Sequence, residues 1–298
     1  MKDQSKMNPG KYAVIGITGQ VGSHLADQLI ENGEFIRAVV RNPAKAAGWA
    51  SRGVEIAVAE LHDADALTKA FTGMDAVFVM TPPMFSSTDP INDHLDMLKA
   101  LKSAIIGSGV KKIVYLSSVG GQHSEGTGAI KKLYDMEQAF ADLPVASAGI
   151  RAAWFMENYA GAIAHAAETG YLGSFLNPTS FAIPMIAAGD IGKLAAELLQ
   201  QTWDGKRIIE LEGPCRYAED DVALILSTYL KLPVTAKPIP EDQYTDTYLS
   251  FGFTAEAALL MGEMVQGFNK EWIVFEGAPA EHVYGETLLE DALRVFFN

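Results

Sequence analysis

The sequence is almost without cysteine: Cys215 is the one example in 298 residues. No disulfide framework can form within the chain, and this thiol has no catalytic partner near it in sequence, so it reads as structural. Long apolar runs are also missing. None approaches the roughly 20 residues that a bilayer demands. The opening stretch MKDQSKMNPGKY is polar, with no apolar signal core. The expectation is a soluble, cytoplasmic protein whose residues 1–10 form a disordered tail. Positive charge is scarce, 23 Lys and Arg against 37 Asp and Glu, for a formal net charge of -14. Such a surface repels phosphate backbones, which argues against DNA or RNA as a partner. The six histidines contain no HxH or HxxxH pair, so a metal site has no support. Gly-x-Ser-x-Gly does not occur, which removes the hydrolase elbow.

What is present is apolar material in a regular rhythm. Hydrophobic residues make up 49% of the chain, enough for a sizeable core. Strand signals at Tyr12–Ile15, Phe35–Val40, Val54–Ala59, Ala76–Met80, Lys112–Leu116 and Val145–Ile150 alternate with helical ones. Asp63 or Asp65 is expected to cap the helix before Phe71. Asp89-Pro90 opens a long helix expected to stop at Gly107. This alternation implies a parallel sheet with right-handed crossovers and helices on both faces. After about residue 152 the rhythm loosens. Helices are expected at 157–168, 190–202 and 218–230, a strand at 208–213, a strand or extended run at 234–240, and a last helix with Thr287 and Glu290 spaced as a capping box.

Between the first strand and the first helix stand Gly16, Gly19 and Gly22, spaced GxxGxxG. The spacing alone is weak, but a strand-to-helix turn inside a βαβ unit is where a dinucleotide pyrophosphate is held. Gly16 would permit the tight turn. Gly19 would leave the backbone amides open, and Gly22 would let the helix pack closely on the sheet. The second strand ends in VVRNPAK and carries no carboxylate in FIRAVV. Arg41, with Asn42 and Lys45 following, suits a 2′-phosphate, so NADP(H) is favoured and NAD(H) is the alternative.

The segments GITGQVG, VVRNPAK, VFVMTPP, KKIVYLSSVG, GTGAIKKLYDMEQAF, IRAAWFMENY, MIAAGDIGKLAAELL and IIELEGP follow one another along the chain. In that order they resemble the NmrA-like family of atypical short-chain dehydrogenase/reductases. The resemblance implies an α/β fold, a Rossmann-type doubly wound parallel sheet over 11–155. A smaller, mostly helical substrate-binding region would cover 156–298, with about 178–212 packing back on the sheet. It implies that Thr18, Gln20 and Val21 join the three glycines around the pyrophosphate, and that Arg41, Asn42 and Lys45 meet the adenosine phosphate. Glu60 and Leu61 would lie by the adenine, and Thr81 and Pro82 would flank the nicotinamide ribose. Ser117 and Ser118 would sit by the nicotinamide, with Ala153, Trp154 and Phe155 closing over it.

The family's ordinary relatives use Tyr-x-x-x-Lys, and none of the ten tyrosines here has lysine four residues later. Alcohol dehydrogenation by the usual route is therefore not expected. Candidates for chemistry are Lys132, with Lys131 beside it, Tyr134 and Ser118. An ammonium at 132 would bond ribose hydroxyls or polarise a carbonyl; the plainer reading of the KK doublet is a solvated helix face. Hydride transfer needs mainly orientation, since the cofactor carries the chemistry. Pro83, Met84, Phe85, Trp154, Asn158 and Tyr159 are the expected walls of a site for a flat aromatic or quinone-like acceptor. For Phe85 and Trp154 core packing is an equal reading. The rival function is a non-catalytic NADP(H)-sensing regulator acting through a protein partner. An oxygenase or isomerase on the same scaffold is a third. Neither nucleic acid nor membrane is an expected partner, and self-association into a homodimer is left open.

Overall fold

The structure, a computed structural model, describes residues 9–297. Residues 1–8 of the expected tail lie outside the described residues; the amide of Gly10 already donates to the Glu34 carboxylate at 2.5 Å. The first half runs β1 (Lys11–Ile15), α1 (Gln20–Glu31), β2 (Phe35–Val40), α2 (Ala47–Ala50), β3 (Glu55–Val58), α3 (Ala64–Phe71), β4 (Ala76–Val79), α4 (Pro90–Ser108), β5 (Lys112–Ser118), α5 (Lys131–Ala141) and β6 (Ala146–Ala152). The second half continues with β7 (Trp154–Phe155), α6 (Ile163–Thr169), β8 (Tyr171–Ser174), β9 (Ile183–Ile186), α7 (Ala188–Gln200), β10 (Lys206–Glu212), β11 (Arg216–Tyr217) and α8 (Glu219–Leu230). It closes with β12 (Thr235–Pro238), α9 (Tyr244–Ser250), α10 (Ala255–Asn269), β13 (Glu281–Tyr284) and α11 (Leu289–Arg294).

Eight strands form one sheet in the order β13-β10-β6-β5-β4-β1-β2-β3, all parallel. Such a sheet is covered on both faces, which explains the unbroken apolar runs: all four residues of β4 are buried. On one face Leu25 and Leu29 of α1 pack with Ile191 and Leu199 of α7. On the other, Phe71, Leu101, Ile105 and Phe140 come from α3, α4 and α5. Gly192 brings α7 against α1 so closely that a Cβ there would lie 2.7 Å from the Cβ of His24. Strand order reverses between β1 and β4, and open α/β sheets bind ligands at such a switch point, beyond the carboxyl ends of the strands.

The chain returns to the sheet after residue 155. β10 lies beside β6 and β13 outside β10. The remaining elements gather around a third core containing Met156, Leu226, Val265 and Phe268. Two small sheets, β11-β9-β7 and β12-β8, tie this region together.

Three local expectations are corrected. α4 runs through Gly107 and ends at Gly109, whose φ of 72° is the left-handed stop. A Cβ on Gly107 would meet the Thr68 side chain of α3 at 3.4 Å, an ordinary van der Waals contact. The stretch expected to be helical at 157–168 opens as a 3-10 helix, Met156–Ala162, before α6. Thr287 does not cap the last helix. Its hydroxyl donates to Asp190 at 3.0 Å, and that carboxylate also takes the amides of Glu286 and Thr287. By contrast Asp63 and Asp89 do cap α3 and α4, accepting from the amides of Ala66 and Asn92.

Candidate functional site

After β1 the backbone turns at Gly16 with a φ of +81°, a conformation that costs any residue with a Cβ. A Cβ at Gly16 would also lie 2.5 Å from Sδ of Met80 on the neighbouring strand. The Gly19 amide donates to the Gly16 carbonyl at 2.9 Å and closes the turn. At Gly22 a Cβ would stand 2.1 Å from the same carbonyl oxygen, so α1 rests on the turn's own backbone. Gly19 differs. Its Cβ would meet only the Gly16 oxygen, at 3.3 Å, and the residue is exposed together with Thr18 and Gln20. Val21 is buried in the core and offers the turn its main chain alone. Gly19 is the N-cap of α1, and among the described residues no side chain caps that helix. Its first-turn amides and positive dipole end are therefore available to an anion.

The other expected positions line up along the same edge, at the carboxyl ends of the parallel strands. Beyond β2, Arg41 and Lys45 are exposed cations. Asn42 is engaged locally, where its side chain accepts from the Ala44 amide at 3.0 Å and caps the 3-10 turn Pro43–Ala46. Beyond β3, Glu60 is exposed and Leu61 buried. Beyond β4, Thr81 is buried, and its hydroxyl has no partner among the described residues. Pro82 is half-buried and Pro83 exposed. At the end of β5, the Ser117 hydroxyl donates inward to Glu137 at 2.5 Å. Ser118 donates to the carbonyl of Val119 at 3.0 Å. Beyond β6, Ala153 is buried and bonded to the Leu211 carbonyl. Trp154 packs edge-on against Phe268 at 5.4 Å, Phe155 is half-buried, and Asn158 is exposed. Tyr159 is buried, its hydroxyl donated to Glu219 at 2.9 Å. Burial pushes the Glu219 carboxyl up to about 7, against the lowering effect of that hydrogen bond.

Lys132 stands at the first turn of α5, and its ammonium donates to the main-chain oxygen of Pro82 at 3.3 Å. Burial lowers its pKa to about 8. Its neighbour Lys131 is instead held by Asp135, one turn on, at 2.7 Å. Tyr134 is half-buried on the same helix. Beside Lys132 opens a small pocket of about 60 Å³, walled by Met84, Phe85, Ile91, His94, Leu260 and Met261. Phe85 stacks on Phe253 at 4.2 Å, and its carbonyl accepts from Thr254 at 3.0 Å, which fastens this loop to the α9–α10 connection. Sequence reasoning reached Met84, Phe85 and Lys132. It missed His94 and α10, whose signal was the Ala- and Met-rich run after Thr254, the residue that caps that helix.

It also missed a buried charge cluster beneath the edge. Arg151 of β6 is 5% exposed and grips Glu137 of α5 at 2.7 Å and Glu276 at 2.6 Å. Glu210 of β10, with no exposed surface, lies 3.7 Å from the same guanidinium and accepts the amides of Glu276 and Gly277. His282 of β13 bonds Glu212 at 2.9 Å. The available signal was an arginine inside the buried strand GIRAA, and carboxylates two apart in IIELEG. Among the described residues no three His, Cys, Asp or Glu side chains gather as a metal would require. No described helix is long and apolar enough to cross a membrane.

The residues present fit a dinucleotide. Among the described residues, two glycines have no room for a Cβ, an uncapped helix start lies between them, an unpartnered hydroxyl stands at Thr81, and two exposed cations follow β2. The family model for NmrA-like proteins matches residues 9–281. The chain belongs to the NmrA-like family. Among its relatives, quinone oxidoreductase 2 of Escherichia coli (strain K12) is 25% identical over 291 residues, 96% of this chain and 98% of that protein. The NAD(P)H azoreductase of Xenophilus azovorans is 28% identical over 252 residues, 84% and 85% of the two chains. The fold is shared with a crystal structure of an NADPH-dependent quinone oxidoreductase of Escherichia coli complexed with NADPH. The TM-score is 0.80 and the identity 24%, over 96% of this chain and 100% of the other.

Proposed function

We propose that this protein binds NADP(H) and reduces a small, flat acceptor of the quinone type. The observation that carries the reading is the turn at the switch point. Gly16 and Gly22 are glycines for internal reasons, whereas Gly19 faces outward over an uncapped helix start. Near end-to-end similarity to a quinone oxidoreductase and to an azoreductase supports it.

In this reading the amides of Thr18, Gln20 and Val21 receive the pyrophosphate, while that of Gly19 closes the turn. Arg41 and Lys45 meet the 2′-phosphate as cations in reach of solvent, with no carboxylate on β2 to favour NAD(H). Thr81 spends its spare hydroxyl on the ligand. The bound nicotinamide supplies the hydride. Lys132, anchored on Pro82, offers an N–H to an acceptor oxygen. Its lowered pKa, about 8, brings it near the range where a proton is released at neutral pH. Tyr134 and Ser118 are the remaining proton carriers along this edge. Met84, Phe85 and the other apolar walls exclude water from a ring lying between them. The rival reading is a sensor that binds NADP(H) without turnover. The open pocket beside Lys132 favours turnover.

The test is a fluorescence titration with NADPH and NADH, then addition of a soluble benzoquinone and an azo dye while nicotinamide absorbance is followed. Tighter binding of NADPH with acceptor-dependent oxidation is the expected result. Binding without oxidation across both acceptors transfers the case to the sensor, and no binding overturns the reading.

A further inference from the structure

The pocket beside Lys132 carries a second message, in the side chain of His94. This residue of α4 is 1% exposed and lines the pocket. Its Nε2 lies 2.7 Å from the carbonyl oxygen of Lys132. A carbonyl only accepts, so Nε2 carries the proton and Nδ1 is a bare acceptor. Nδ1 has no partner among the described residues. Burial, aided by the neighbouring Lys132 charge, lowers the ring's pKa to about 4, which keeps it neutral near pH 7. The other polar walls are accounted for. Lys131 and Asp135 satisfy each other at 2.7 Å, and Lys132 is a donor. A buried lone pair without a donor is costly, and a ligand that supplies one removes the penalty.

We propose that this pocket is built for an aromatic ring bearing a hydroxyl, whose O–H is donated to Nδ1 of His94, so that His94 selects hydroxylated rings over their ethers. The inference rests on the reading of this pocket as the acceptor site, and adds the ligand class: phenols, including the hydroquinone formed when a quinone is reduced.

The test uses binding at equilibrium and no turnover. Dissociation constants of 4-phenylphenol and of its methyl ether, 4-methoxybiphenyl, are measured by calorimetry on the full chain with saturating NADP+. The phenol is expected to bind about tenfold more tightly, the ratio for one net hydrogen bond. In His94→Gln the amide N–H occupies the place of Nε2 and still serves the Lys132 carbonyl, while the acceptor at Nδ1 is gone; the ratio should fall to about one. Equal affinities in the wild type, or a preference that survives in His94→Gln, overturn the proposal. Benzoquinone turnover is measured in parallel. Loss of turnover with intact phenol preference refutes the reductase reading alone, and turnover without phenol preference refutes this proposal alone.

Discussion

Gly22 sits over the carbonyl oxygen of Gly16 so closely that a Cβ on it would be 2.1 Å from that oxygen, whereas a Cβ on Gly19 would be 3.3 Å away. The two glycines should therefore fail differently. Gly22→Ala forces helix and turn apart and should cost about 2 kcal/mol of stability or more, seen as a lower Tm. Gly19→Val should leave Tm nearly unchanged and abolish NADPH binding, because the side chain would stand over the open amides. Tight NADPH binding by Gly19→Val would remove the turn from the binding site.

Arg41 is exposed at the end of β2, so its replacement should cost no stability. Arg41→Asp should weaken NADPH at least tenfold and NADH little, a difference above about 1.4 kcal/mol. Titration of both cofactors decides it. Equal weakening would break the assignment of the 2′-phosphate to this residue.

The Glu137–Arg151 pair is buried on both sides, 6% and 5% exposed. Arg151 keeps Glu276 and Glu210 when Glu137 is neutralised, so Glu137→Gln should cost less in urea unfolding than Arg151→Met, which leaves three carboxylates without their cation and should cost about 3 to 5 kcal/mol. Arg151→Met combined with Glu137→Gln should recover part of the Arg151→Met loss, since two uncompensated carboxylates remain in place of three. If the double variant is as unstable as the sum of the two single ones, the pair is not coupled.

The fold was legible where burial leaves a simple trace. Strands covered on both faces are mostly apolar, so Phe35–Val40 was read to the residue even with Arg37 inside it. The cluster around Arg151 left no such trace, because charged residues in strands ordinarily face water and the sequence does not record who pairs with whom across 14, 59 or 125 positions. Gly107 misled for a related reason. A glycine in the last turn of a helix looks the same in sequence as the one that ends it. The strand-to-helix turn at Gly16 was legible because a turn is local, whereas His94 joined the pocket through a carbonyl 38 residues away.

Glu219 gives a pH prediction with a definite sign. Its folded pKa is raised from 4.5 to about 7 by burial, so between those values the folded protein keeps a proton that the unfolded chain has released. Stability from this group therefore falls as pH rises through that window, by about 3 kcal/mol in total. Glu219→Gln is neutral throughout and can still accept from Tyr159. It should match the wild type near about pH 4 and exceed it above about pH 8. Parallel stability profiles would disprove the shift. His94 works the other way, losing stability as pH falls from 6.5 to about 4, but it is common to both proteins and cancels in the difference.

The position of β13 has a consequence for how the chain is made. It pairs outside β10, yet its residues 281–284 are translated about 70 positions later. Until they leave the ribosome, the outer edge of β10 presents unpaired amides and carbonyls, an open template for another chain. Glu210 and Glu212 lie on that strand with their eventual partners, Glu276, Gly277 and His282, not yet synthesised. Two carboxylates on a waiting edge repel a second copy of the same edge. The charges that are hidden in the finished sheet would thus protect the nascent chain from pairing with its neighbours on the polysome.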